Sequence, residues 1–236
     1  MATKKVKIKV TEKRINIKKI LCVLIILATI TLGIIYFIHR PLKNIYINGN
    51  NILSDKEIIE LSGLSDYPPY INTYFMNIKG NLYKNDYIKE VTIKRNIAGK
   101  IYIKIKEYTP VAIYKNELIL SSKEKVTNNY NINYVPYISN DIDAIYDKTI
   151  EAFTKIKPNI LFKISHIEYV PNEVDTERFL LYMVDSNYVY ITLTKIDKIN
   201  KYNSIINKLE GKKGIIYLDS GDYVEIKDWH NQILII

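Results

Sequence analysis

ILCVLIILATITLGIIYFI, residues Ile20 to Ile38, decides how the rest of the chain is read. These 19 residues carry no charge, and their only polar side chains are Thr29, Thr31 and Tyr36. A hydrocarbon core roughly 30 Å thick takes about 20 apolar residues of helix, so the run is long enough to cross a bilayer once. Inside lipid a lone segment satisfies its own backbone only as a helix. The alternative, a buried core helix, normally carries a polar stripe, and the pattern has none.

The flanks set the direction of the span. Lys4, Lys5, Lys7, Lys9, Lys13, Arg14, Lys18 and Lys19 stand against the single acid Glu12, so the first 19 residues hold +7 of the chain's +9. After the span come only His39, Arg40 and Lys43 before the charge turns mixed. Short basic flanks stay on the cytoplasmic side, which predicts an inside N-terminus and an outside location for everything after Ile38. A cleaved signal peptide has a shorter apolar region and small residues at its cleavage site. Here the run ends in Tyr36-Phe37-Ile38-His39-Arg40, so an uncleaved anchor is expected. The portion beyond the span is close to neutral, which removes the main support for nucleic-acid binding. The one cysteine, Cys22, lies in the span, so the outer portion is held by its core rather than by disulfides.

Beyond Pro41 the pattern changes. Ile45-Tyr46-Ile47-Asn48 alternates as a strand and stops at Gly49-Asn50. Ser54 and Glu57 form a Ser-x-x-Glu capping box. The helix it starts turns Ile58, Ile59 and Leu61 inward and ends at Gly63. After Pro68-Pro69 a second helix is predicted from about Asn72 to Lys84, with Phe75, Ile78 and Leu82 on one face. Two strands follow, with Val91, Ile93 and Arg95 on one face of the first and Ile101, Ile103 and Ile105 on one face of the second. The order strand-helix-helix-strand-strand describes a small α+β domain, two helices on a three-stranded sheet.

From Val111 the chain reads as a second, mostly antiparallel β domain with a few helices. Strands are expected at 111–114, 118–120, 164–170, 179–184, 188–193, 215–218 and 223–226, and helices at about 142–156 and, capped by Thr194, up to Leu209. Asp219-Ser220-Gly221-Asp222 separates the last two strands as a turn, with Gly221 supplying positive φ.

Chemistry-bearing patterns are sparse. His39, His166 and His230 have no second histidine or cysteine at metal-ligand spacing, so no metal site is expected. Asp219-Ser220-Gly221 lacks the glycine of a serine-hydrolase loop, and no phosphate loop or dinucleotide fingerprint occurs, so neither cofactor nor small-molecule substrate is expected. Glu107 with Glu117, and Asp141 with Asp143, read as solvated carboxylates on turns and strand edges. The chain is therefore expected not to be an enzyme. Exposed sheet edge remains, and Tyr223-Val224-Glu225-Ile226 near the chain end is the candidate for pairing with a partner strand.

The sequence resembles the FtsQ/DivIB family of bacterial cell-division proteins. The likeness is carried by Ile45-Tyr46-Ile47-Asn48-Gly49-Asn50 with Leu53 to Ile59, by Tyr87 to Arg95, and by Ile101 to Ala112 with its Glu107-x-x-Pro110-Val111-Ala112. Ile216 to Gly221 looks like the family's closing strand and turn. The resemblance implies a basic cytoplasmic tail (1–19), a transmembrane helix (20–38), a POTRA domain (39–110), a β domain (111–227) and a C-terminal tail (228–236). It implies a non-catalytic divisome scaffold in the cell membrane at the septum, with FtsB/DivIC-type and FtsL-type coiled-coil partners and, through them, the septal transpeptidase. It also implies partner contacts at Leu218, Ser220, Gly221, Tyr223, Val224, Glu225 and Ile226, although Leu218 and Ile226 stand where family members carry aromatics. The other readings are a POTRA-bearing envelope chaperone or secretion component, and a membrane-anchored envelope enzyme.

Overall fold

The computed structural model of the protein describes residues 16–226 and 233–235. Helix α1, Ile17–His39, is capped by Asn16 and carries the apolar run, none of which is buried and which is exposed up to Tyr36, as a lipid-facing span is. At 1.5 Å per residue its 23 residues reach about 34 Å, enough for the bilayer core. Its polar groups close on the helix itself: Thr29 and Thr31 donate to the carbonyls of Ile26 and Leu27 at 2.8 and 2.7 Å. Arg40 ends the helix in extended backbone ahead of Pro41.

Next come β1 (Asn44–Asn48), α2 (Asp55–Ser62), a 3₁₀ turn (Tyr70–Asn72), α3 (Phe75–Leu82), β2 (Ile88–Arg95) and β3 (Lys100–Glu107). The three strands form one sheet in the order β1-β3-β2, with β1 parallel to β3 and β2 antiparallel to it. Both sides of the capping box form at the start of α2: Ser54 Oγ accepts from the Glu57 amide, and the Glu57 carboxylate accepts from the Ser54 amide. Gly63 closes α2 in the left-handed region. Ile58, Ile78 and Leu82 meet Val91, Ile93, Ile101, Ile103 and Ile105 in the core. The second helix is shorter than the predicted 72–84, because Thr73 Oγ1 and backbone N–H turn back to the Tyr70 carbonyl and delay its start to Phe75. Phe75, expected inside, lies on its rim and is partly exposed.

Gly49 is needed where it stands. Its φ is +88°, and a Cβ there would lie 2.2 Å from the Ile105 carbonyl oxygen. Only glycine lets β1 turn off so close to β3.

The remaining strands are β4 (Pro110–Tyr114), β5 (Glu117–Leu120), β6 (Lys125–Val126), β7 (Tyr137–Ile138), β8 (Ile164–Tyr169), β9 (Arg178–Met183), β10 (Tyr188–Thr192), β11 (Gly214–Tyr217), β12 (Tyr223–Ile226) and β13 (Ile233–Ile235). They form a ten-stranded sheet in the order β13-β12-β11-β10-β9-β8-β7-β4-β5-β6. Most neighbours are antiparallel, but β4–β7, β7–β8 and β10–β11 are parallel. The buried face packs under α4 (Tyr146–Phe153), the single turn α5 (Pro158–Leu161) and a helical stretch after β10, with Phe153 against Phe179 at 5.6 Å.

Two helical expectations change. The 142–156 helix is shorter, a 3₁₀ turn at Asp143–Ile145 followed by α4. The helix expected to be capped by Thr194 begins at Leu193 as 3₁₀ and becomes α only at α6 (Tyr202–Lys208). Its start comes directly off β10, where the Thr192 hydroxyl is turned to Asp175 Oδ1 at 3.2 Å instead of capping, and Lys195 breaks the helical φ/ψ. The two sheets belong to one continuous core, joined where Tyr87 and Tyr130 meet edge to face at 5.1 Å and the Tyr130 hydroxyl donates to Glu57.

Candidate partner-binding edge

Alternation along β11 and β12 divides the predicted partner residues between two faces. Leu218, Val224 and Ile226 point into the core and are 2%, 0% and 6% exposed, so they can meet a partner only through their backbone. Tyr223 and Glu225 stand on the outer face with Tyr217, and Ser220 and Gly221 lie in the turn between the strands.

That outer face carries an aromatic row. Tyr190, Tyr217 and Tyr223, on β10, β11 and β12, stack nearly parallel with ring centres 5.3 and 4.6 Å apart. The Arg178 guanidinium, on β9, extends the row at 3.8 Å from the Tyr190 ring. Burial, then the Glu225 carboxylate beside it, pushes the Tyr217 hydroxyl up to about 12. Further along the sheet, Tyr182 donates to Glu168 at 2.7 Å, and that bond with burial raises its hydroxyl likewise to about 12. Tyr182 and Tyr217 are therefore neutral under any physiological condition.

The turn is clamped from below. Arg178 Nε donates to Asp219 Oδ2 at 2.7 Å, in a pair whose side chains are only 19% and 7% exposed. Lys195 Nζ donates to the Asp219 carbonyl, and Lys198 Nζ reaches both oxygens of Asp222 at 2.6 Å. Burial pushes the Asp219 carboxyl up, but the Arg178 guanidinium with the Ser220 hydroxyl and amide outweighs it and holds the group below the usual carboxylate range. Gly221 does not supply the positive φ expected of it; Asp222 does, at +52°. Gly221 serves space instead, since a Cβ would meet the Tyr223 ring at 3.0 Å.

The edge itself differs from the expected one. β13 pairs antiparallel with β12, Tyr223 opposite Ile235 and Glu225 opposite Ile233, so the outermost strand is this three-residue piece within the predicted tail. Nothing in the pattern of so short an apolar run distinguishes a strand from a tail. Arg178, Lys195, Lys198 and the tyrosine row were likewise not singled out by sequence, because their partners lie on other strands.

The carboxylate pairs have structural work. The Tyr114 hydroxyl, nearly buried, lies 3.0 Å from Asp141 and 2.7 Å from Asp143, and Lys115 bonds Asp143 at 2.5 Å. Glu107, read as a solvated residue, accepts the amides of Asn51, Ile52 and Leu53 at 2.9, 2.8 and 2.9 Å. Ser220 Oγ donates to Asp219 Oδ1 at 3.1 Å. Among the described residues no cluster of three or more His, Cys, Asp or Glu is placed to hold a metal ion.

A helix long and apolar enough to cross a membrane thus precedes a small helix-covered three-stranded sheet and a long β sheet ending in a short strand. The profile "POTRA domain, FtsQ-type" matches residues 40–108. The cell division protein DivIB of Brevibacillus brevis is 29% identical over 210 residues, 83% of this chain and 79% of that protein. DivIB of Bacillus subtilis is 28% identical over 217 residues, 85% and 81% of the two chains. The solved major extracytoplasmic domain of DivIB from Geobacillus stearothermophilus aligns over 44% of this chain and 96% of its own, at 18% identity and a TM-score of 0.37. The chain thus carries an FtsQ-type POTRA domain and is similar over most of its length to DivIB cell division proteins. It is a membrane protein with a role in cell division.

Proposed function

We propose that the chain is a non-catalytic single-pass scaffold of the division machinery, with its N-terminus in the cytoplasm and its 39–110 and 111–227 domains outside, at the septum. It holds FtsB/DivIC-type and FtsL-type coiled-coil partners and, through them, the septal transpeptidase. Leu218, Ser220, Gly221, Tyr223, Val224, Glu225 and Ile226 form the docking strand and its turn. One observation carries the reading: the β12 edge is covered by only three residues of β13, a pairing a longer partner strand can replace with more backbone bonds. The aromatic row ending at Tyr223 then reads the partner's outward side chains. The tight turn, with Ser220 bonded to Asp219, supports a structural rather than a nucleophilic role for that serine.

The test is co-purification of the tagged full chain from its own cell, compared with chains stopped after Asp219 and after Ile226. The first truncation removes β12 and β13, and the second removes β13 alone. The reading expects small coiled-coil membrane proteins and a transpeptidase with the full chain and with the stop after Ile226, and their loss with the stop after Asp219. Retention after Asp219 places docking elsewhere, and absence of division proteins from all three refutes the scaffold.

A further inference from the structure

The membrane end of the first domain carries side chains that its fold does not use. The 3₁₀ turn sits directly on the last turn of α1: the Tyr70 amide donates to the Arg40 carbonyl at 3.0 Å, and the Tyr70 ring meets Phe37 at 6.1 Å. Pro41 bridges Pro69, and the Lys43 amide donates to the Gly99 carbonyl at 2.8 Å. Arg95, at the end of β2, donates to the carbonyls of Tyr70 and Thr73. The start of α3, the end of β2 and the β2–β3 turn are therefore gathered beside the exit of the membrane helix.

At this end large apolar groups face outward. Met76 is 85% exposed, Ile97 72% and Tyr74 59%, and Ile71 is also open. The nearby charges are mostly basic. Lys43 and Lys100 flank Gly99, and Asp66 is an acid of the adjoining linker. Arg40 stacks on Phe37 at 4.2 Å, and its Nε and Nη2 meet no hydrogen-bond acceptor among the described residues.

Phe37 belongs to the spanning helix, and Tyr70, where the 70–76 segment starts, is bonded to Arg40 and packed on Phe37, which puts the segment at the depth of the headgroup layer. Exposed aromatic and aliphatic tips among lysine and arginine are the composition that partitions into that layer. We propose that Ile71, Tyr74, Met76 and Ile97 rest in the interfacial layer of the chain's own bilayer, with Lys43 and Lys100 on anionic phospholipid headgroups. The first domain is thereby held against the membrane, which restricts its swing about the Arg40–Pro41 joint. The surface is independent of the β12 edge.

The test uses the full chain in lipid nanodiscs with Cys22→Ala and a nitroxide label at Met76→Cys, Ile97→Cys or, as control, Lys89→Cys. Lys89 lies near the other end of β2, about 20 Å away at the rise of a strand. In discs containing phosphatidylglycerol, the labels at 76 and 97 are expected to meet a water-soluble nickel quencher at least about fivefold less than the label at 89. Lys43→Glu with Lys100→Glu is expected to raise quencher access at 76 in these discs and to leave it unchanged in phosphatidylcholine alone. Equal access at 76, 97 and 89 overturns the proposal, as does protection at 89 matching that at 76. Access at 76 that ignores the two charge reversals in anionic discs overturns the headgroup contact.

Discussion

Removing the Glu107 carboxylate should loosen the first domain at the loop that seats Leu53 in its core. Glu107 ends β3 and accepts three consecutive amides, Asn51 to Leu53, from the loop between β1 and α2. Bonds to a charged acceptor contribute about 1.5–3 kcal/mol each when shielded. Leu53 is buried and Ile52 half-buried, while Asn51 is exposed and regains water when its bond is lost. The expected cost of Glu107→Ala is therefore about 3 kcal/mol, less than three full bonds. For a chain of this size that lowers Tm by roughly 6–12 °C. Glu107→Gln keeps one acceptor oxygen, which can take the Asn51 and Ile52 amides, but turns an NH₂ toward the Leu53 amide, so it should fall between wild type and alanine. The assay is thermal unfolding of the full chain in detergent, with amide hydrogen exchange read at Asn51 to Leu53. A loss below about 0.5 kcal/mol for the alanine variant, the scatter of an ordinary surface change, would refute the argument. So would a glutamine variant as stable as wild type.

Gly49→Ala should cost about 2–4 kcal/mol in chemical denaturation, since it combines a positive φ with a 2.2 Å clash against the Ile105 carbonyl. Asp219→Asn should destabilise at neutral pH. Because the folded Asp219 lies below its unfolded value of about 3.9, its contribution is present above that pH and fades as pH falls through the folded value, so variant and wild type should converge in urea melts in strong acid. Tyr182 and Tyr217 are both raised to about 12, so the stability they confer is complete below about 10 and should be lost as pH climbs from about 10 through 12. Phenolate absorbance followed against unfolding would record it, and ionisation of all tyrosines near 10 without loss of structure would contradict it.

The parts of the fold legible in the sequence are those where one local rule decides. The Ser54–Glu57 box, the Gly63 stop and the period-two runs of β2 and β3 each depend on residues a few positions apart, and the structure places all of them as read. The parts that escaped depend on distant partners. β6 and β7 are two residues each, too short to show a period, and exist because β5 and β4 offer them an edge. Glu107 looked like any carboxylate at a strand end, because the amides it holds lie 54 to 56 residues earlier. The turn composition around Gly221 points to a backbone role, whereas the ring of Tyr223 sets the requirement.

The same distinction shapes what the β12 edge can recognise. A strand offers a partner two kinds of contact, its backbone and whichever side chains share the open face. Val224 and Ile226 are committed to the core, so changing them tests folding before it tests binding. Tyr223 and Glu225 are the outward residues of β12; Tyr223 stacks on Tyr217, which stacks on Tyr190, and Glu225 accepts from the Tyr217 hydroxyl. On the proposed reading, selectivity at this edge rests on a pre-stacked aromatic row whose position is set by Arg178 over Tyr190 and by the same guanidinium on Asp219. Arg178 touches no residue of β12, yet it holds both the turn that starts that strand and the row that extends from it. On the proposed reading, specificity for a partner strand is thus built four strands away from where that strand would bind.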